Sequence, residues 1–158
     1  MLNGDDVIAV LTNYFLNNTK DDIVILSCDK DMIQLYTDRV KIITIEGENR
    51  EPKTELEKTL KTKINQNITA SDYLLFKILI GDGADGIPNI KSGLGPKKAW
   101  KLLQDKDALK TLLKEDITIT DSFIRNKKLI SMKEIPQPVH DLIINEYQSM
   151  SKKGESII

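Results

Sequence analysis

Residues 71–104, SDYLLFKILIGDGADGIPNIKSGLGPKKAWKLLQ, place an acidic pair and a lysine-bearing glycine turn within one short segment. The stretch opens as an apolar helical run on Leu74, Leu75, Ile78 and Leu79 and stops at Gly81. Asp82 and Asp85 follow three residues apart, a spacing that lets both carboxylates point to one side of a single turn. Carboxylate oxygens are the ligands that Mg²⁺ and Mn²⁺ prefer. The chain then turns through Gly86, Pro88, Gly93 and Gly95 and restarts as a helix at Pro96, where a proline in the first helical position loses no hydrogen bond. The free amides of such a helix start face an anion. From Lys91 to Gln104 the only charges are Lys91, Lys97, Lys98 and Lys101. Four lysines without an acid suit a nucleic-acid backbone better than a single small phosphate.

The remaining composition is that of a soluble globular protein, with 158 residues, 40% hydrophobic and 30% charged. The net charge of −1 announces no polyanion partner, so any such affinity comes from local clustering. The charges do cluster: residues 1–31 hold six aspartates and two lysines, and Arg125, Lys127, Lys128 and Lys133 make a second basic segment that suits either a solvated face or nucleic acid. Cys28 is the only cysteine, which excludes an intrachain disulfide and a cysteine-based zinc site. No stretch has the length of a membrane span and the N-terminus lacks the pattern of a signal peptide, so a cytoplasmic location is expected.

Outward from the centre, residues 5–16 carry Val7, Ile8, Leu11, Tyr14 and Phe15 at helical spacing and predict a helix that opens on Asp5 and Asp6. Two acids there suit a cap and dipole role as well as a site. Asp22 to Ser27 reads as a strand buried on both faces, with Asp29 and Asp31 just past its C-terminal end, where open α/β sheets place ligands. Either acid also suits as cap of a short helix near Met32. Residues 39–45 predict a second strand, 46–53 a polar loop and 54–64 a helix. Thr69 to Asp72 resembles a capping box, Leu109, Leu112 and Leu113 mark a short helix, and 123–130 a further one. Val139, Leu142, Ile143 and Tyr147 place a last helix on the core. Trp100 reads as helix packing, and His140, the only histidine, as a surface residue. Two strands are too few for a strand buried on both faces, so the sheet looks incomplete, with its missing strands on another polypeptide or its edge exposed.

Gly81-Asp82-x-x-Asp85-Gly86-Ile87-Pro88, followed by Gly93-Leu94-Gly95-Pro96-Lys97-Lys98-Ala99, resembles the C-terminal half of the 5′ nuclease family. That family includes flap endonucleases, the 5′-nuclease domains of bacterial DNA polymerase I and the RNase H of T-even phages. The resemblance extends to Gly4-Asp5-Asp6, with Asn3 in place of the family's glutamate, to Asp29-Lys30-Asp31, and more loosely to residues 129–148. It implies an α/β fold: part of a parallel-sheet, PIN-like nuclease core over residues 1–68, a mostly helical DNA-binding lobe with a helix–hairpin–helix (helix–three-turn–helix) element over 69–150, and a tail at 151–158. It also implies a structure-selective, metal-dependent 5′–3′ exonuclease or flap endonuclease acting on DNA or RNA–DNA in replication or repair.

By the same resemblance Asp5, Asp29, Asp31, Asp82 and Asp85 are catalytic and hold a two-metal Mg²⁺ or Mn²⁺ site, with Asp6 a further ligand. Gly93, Leu94, Gly95, Lys91, Lys97, Lys98 and Lys101 grip double-stranded DNA beside a 5′ flap or end, with a monovalent cation at the hairpin. The family's N-terminal carboxylates and helical arch have no counterpart in residues 1–158, so the expected set of acids is partial and a separate N-terminal nuclease half is an expected partner. A non-catalytic duplex- or junction-binding module, or one half of a split nuclease, is the alternative.

Overall fold

In a computed structural model that describes residues 3–155, the two apolar runs pair as parallel strands, β1 (Ile23–Leu26) and β2 (Val40–Ile43), with Ile23 opposite Val40 and Leu26 opposite Ile43. A short β3 (Asn49–Arg50) returns antiparallel on β2 from within the expected 46–53 loop. The order is β1-β2-β3, so the sheet is small and mixed rather than wholly parallel. Ile25, Val40 and Ile42 are buried with Ala9 of helix α1 (Gly4–Asn18) and with Met32 and Leu35 of the 3-10 helix Lys30–Leu35.

The opposite face of the sheet is largely exposed. Side chains alternate across a strand, and Val24 and Leu26 of β1 are 60% and 67% exposed, with Ile45 beyond β2 at 78%. The unbroken apolar run of β1 therefore does not lie buried on both faces, as its composition led one to expect. α1 is likewise turned from its expected stripe: Ala9, Val10 and Thr12 are buried, while Val7, Ile8, Leu11, Tyr14 and Phe15 are half-buried. Tyr14 and Phe15 meet Tyr147 of the last helix edge-on, at ring-centre distances of 5.7 and 5.3 Å.

The larger core joins helices α2 (Pro52–Leu60), α3 (Ala70–Ile80), α4 (Pro96–Gln104), α5 (Lys106–Glu115) and α6 (Ile117–Ile130). Leu56, Phe76, Leu79, Leu94, Ala99 and Leu109 are among its buried members. α3 starts at the expected capping box, with the Thr69 hydroxyl accepting the Asp72 N–H at 3.1 Å and Asp72 accepting the Thr69 N–H at 2.9 Å. α6 begins well before the expected residue 123, because Ile117-Thr118-Ile119-Thr120 is a β-branched run that reads as poor helix. The Asp116 carboxylate starts it by accepting the Thr118 N–H at 2.8 Å. The last helix, α7 (Gln137–Glu155), buries Ile143 but leaves Leu142, expected on the core, 48% exposed. α7 runs into the expected tail, whose residues 156–158 lie outside the described residues.

The loop after α3 is held from three sides. Gly81 has φ +75°, and a Cβ there would lie 2.2 Å from the Ile87 carbonyl oxygen and 2.5 Å from that of Pro88. Asp82 and Ile87 exchange two backbone hydrogen bonds of 2.8 Å, and the Ile90 N–H donates to Leu79 O at 3.1 Å. Asn126, fully buried on α6, donates its amide to Ile78 O at 3.0 Å and to Pro88 O at 2.8 Å, so one side chain ties α3, the loop and α6 together. Replacing Gly81 by Ala forces both a disfavoured φ and a backbone overlap. Gly81→Ala is expected to cost at least about 2 kcal/mol, measured by urea unfolding, whereas Gly83→Ala, where a Cβ meets open space, should be near neutral.

Candidate metal centre

Asp31, Asp82 and Asp85 converge, with one carboxylate oxygen from each lying within 4.8 Å of the others. Asp29 Oδ1 accepts the Asp31 N–H at 2.8 Å and so caps the 3-10 helix, which leaves the Asp31 side chain to face the cleft. That settles which of the two acids caps. Asp82 Oδ1 accepts the Ala84 N–H at 3.0 Å, which orients one oxygen and turns the loop toward Asp85. The cleft they line has a volume of about 600 Å³ and is also bordered by Tyr73, Lys77 and Thr59.

Lys77 was not singled out in the sequence, because it sits inside an apolar helical run. Its Nζ donates to Asp82 Oδ2 and lies 3.4 Å from Asp31 Oδ1, with the side chain only 14% exposed. The available signal was that it is the one charge between Asp72 and Asp82. Burial pushes the Asp31 carboxyl up; Lys77 opposes this, Asp29 and Asp82 add to it, and the net direction is up. Burial acts on Asp82 in the same sense, but the Lys77 hydrogen bond and charge, with the N–H groups of Ala84 and Asp85, outweigh it and hold that carboxyl down. Burial would lower Lys77, and its two acid partners raise it instead.

The first acidic block reaches the same field. Burial raises Asp5, and the negative charges of Asp29, Asp6 and Asp85 raise it further. Asp5, Asp6 and Asp29 stand outside the three-carboxylate group. Asn3 Oδ1 accepts the Asp5 N–H at 3.3 Å and caps α1. Behind the cleft, Glu55 is 2% exposed and ion-paired with Lys58 at 3.0 Å, Lys30 at 3.5 Å and Arg50 at 3.9 Å. It anchors the residue between Asp29 and Asp31 to α2, a role hidden in sequence because Glu55 lies in a helix that reads as polar.

The lysines divide into two sets. Lys97, Lys98 and Lys101 are exposed on α4 and, among the described residues, carry no ion pair. Lys91 instead meets both Glu115 oxygens at 2.9 Å, so a segment free of acids in sequence has one in space, delivered by the end of α5. Leu94 is buried in the helical core, which leaves only its backbone to face a ligand. Gly93 takes φ +75°, and Gly95 opens α4 with no side-chain cap. Thr59 borders both the acid cleft and a groove lined by Gly93, Gly95, Lys97 and Lys98, so the two are contiguous along α2. Trp100 packs against the helical core as expected. In the second basic segment Arg125 is bound to Asn126, and Lys127 pairs with Glu134 at 3.1 Å.

No family model matches the sequence. Individual relatives do: the chain is 33% identical over 124 residues to DNA polymerase I of Caldicellulosiruptor bescii, covering 78% of this chain and 14% of that protein. It is 34% identical over 125 residues to the 5′-3′ exonuclease of Aquifex aeolicus, covering 79% of this chain and 40% of the relative. A bacteriophage T5 5′-exonuclease mutant superposes with a TM-score of 0.68 at 16% identity, covering 94% of this chain and 66% of that one. The chain belongs to the 5′ nuclease family. It spans a seventh of the polymerase relative and two fifths of the stand-alone exonuclease. Among 5′ nucleases, T5 5′-exonuclease has been seen with zinc bound, and T5 flap endonuclease in a pseudo-enzyme-product complex with DNA and metal ions. Among the described residues no helix is long and apolar enough to cross a membrane.

The raised Asp31 has a stability consequence. Because the fold favours its protonated form, its contribution is present below the unfolded-state pKa, near 3.8, and is lost as pH rises through the folded-state value. Above that value the ionised carboxylate is a net cost. Asp31→Asn is therefore expected to raise the thermal midpoint in EDTA at pH 7 and to lose that gain as pH falls toward the ordinary carboxylate range, as scanning calorimetry at several pH values would register.

Proposed function

We propose that this chain carries part of the catalytic centre and the duplex-gripping surface of a metal-dependent 5′–3′ exonuclease or flap endonuclease. The observation that carries the reading is the convergence of Asp31, Asp82 and Asp85, from two separated segments, in a cleft contiguous with the lysine groove. An all-carboxylate donor set fits a hard divalent cation such as Mg²⁺ or Mn²⁺. Asp31, Asp82 and Asp85 would hold one ion, and Asp5, close enough to Asp29 and Asp85 to feel the charge of both, would share with Asp29 in holding a second, with Asp6 beside them. When bound, such a pair lowers the pKa of an attacking water and neutralises charge on the departing oxygen.

The chain's own residues then have distinct tasks. Lys97, Lys98 and Lys101 and the backbone of Gly93, Leu94 and Gly95, in a helix–hairpin–helix-type arrangement of α3 and α4, hold phosphates of a duplex without reading sequence. Lys91 joins them once it leaves Glu115. Because the groove and the acid cleft adjoin at Thr59, a strand gripped in the groove would lie next to the acids. The exposed sheet face of Val24, Leu26 and Ile45 is where the remainder of the nuclease core packs, as part of the same polypeptide or as a separate half. A second reading, a duplex-binding module without catalysis, is favoured by Asn3, a neutral cap at the place of an acid.

A labelled 5′-flap duplex tests this. With Mn²⁺ and the complementary N-terminal segment of a related exonuclease, cleavage is expected, and Asp82→Ala with Asp85→Ala should abolish it while leaving binding intact. Cleavage unaffected by that double change would refute the site, and flap binding without cleavage in any mixture would favour the module. In gel-shift titrations Glu115→Gln should tighten duplex binding and steepen the slope of log affinity on log salt by about 0.9, the worth of one added phosphate contact.

A further inference from the structure

Lys77 stands where an ammonium is hardest to place. Its side chain is 14% exposed in an otherwise apolar stretch of α3, and burying a charge is unfavourable unless it is paired. Its partners come from different parts of the fold: Asp31 from the 3-10 helix after β1, and Asp82 from the loop after α3. One ammonium thus bridges the sheet side and the helical side of the cleft. Without it, two carboxylates would face each other uncompensated, an arrangement that opposes ionisation of both. A divalent cation among Asp31, Asp82 and Asp85 would in turn meet this ammonium at close range, and two like charges cannot share the same carboxylates cheaply.

We propose that Lys77 is the resident counter-ion of the cleft: in the metal-free protein its ammonium holds Asp31 and Asp82 together, and a divalent ion binds by expelling it from those carboxylates. The inference rests on the reading of Asp31, Asp82 and Asp85 as metal ligands. Lys77 is then a positioning residue, and loading the cleft is an exchange of one cation for another. Neutralising it has opposite effects on two properties. The metal-free fold loses an ion pair and becomes less stable, while the divalent ion meets a more negative site and binds more tightly. A lysine with a merely structural role would lose on both counts.

Isothermal calorimetry of Mn²⁺ binding to the full chain tests this with Lys77→Gln, which keeps a polar side chain, and Lys77→Arg, which keeps the charge. Lys77→Gln should bind Mn²⁺ about tenfold more tightly or better, the least expected from removing a competing unit charge that sits within about 4 Å of two of the ligand carboxylates. It should also melt at a lower temperature in EDTA, and Lys77→Arg should bind no more tightly than wild type. Equal or weaker binding by Lys77→Gln, with the heat still lost in Asp82→Ala plus Asp85→Ala, overturns the counter-ion role and leaves the metal site standing. Binding that survives that double change, or is absent from wild type and Lys77→Gln alike, overturns both. A second measurement on wild type needs no folded variant: Lys77 should resist an amine-acylating reagent in EDTA and become reactive at saturating Mn²⁺, read by mass spectrometry. Equal protection in both conditions overturns the proposal.

Discussion

Mutual repulsion among carboxylates is the constraint that the rest of this structure answers. Asp31, Asp82 and Asp85 approach within 4.8 Å, and Asp5 and Asp29 add charge to the same field. Such a cluster is unfavourable in a protein interior unless something rigid holds the backbones and something positive sits between the side chains. Lys77 supplies the positive charge, and its effect is unequal. It holds Asp82 down through a direct hydrogen bond, whereas at 3.4 Å it fails to offset the burial of Asp31. The cleft therefore carries an electrostatic cost that Lys77 offsets only in part.

Rigidity comes from the loop after α3. The backbone of Gly81 lies against the Ile87 and Pro88 carbonyls so closely that no side chain fits between them. The two Asp82–Ile87 hydrogen bonds then close the loop that carries both acids. Asn126 extends this order outward, since its amide satisfies carbonyls of α3 and of the loop at once. Glu55 does the same on the other side, fixing Lys30 between Asp29 and Asp31. The segments that carry these acids are thus tied to buried polar groups, Asn126 and Glu55, that are no part of the acid cluster itself.

Two surfaces lead away from this centre. One is cationic: Lys97 and Lys98, without an ion pair among the described residues, line with Gly93 and Gly95 a groove that meets the acid cleft at Thr59, and Lys101 is exposed on the same helix. The other is apolar, the outer face of β1 with Val24 and Leu26. Their chemistry differs. Lysines facing solvent suit a polyanion that comes and goes, while exposed branched side chains on a sheet suit a surface that is meant to be covered.

The sequence by itself determined what depends on neighbours along the chain. The Thr69 to Asp72 cap, the Pro96 helix start, the stop at Gly81 and the two strands all follow from local propensity and spacing, and each is where those rules place it. The acidic blocks were legible as blocks, because residue type and order survive without geometry. Tertiary structure decided everything that depends on residues far apart. It chose Asp29 to cap and Asp31 to face the cleft, brought Glu115 onto Lys91, turned one face of β1 to solvent, and made Lys77, an apparent interruption in an apolar helix, the charge at the centre. Propensity and periodicity act over a few residues. Electrostatic pairing acts over a few ångströms, and only the fold says which residues those ångströms separate.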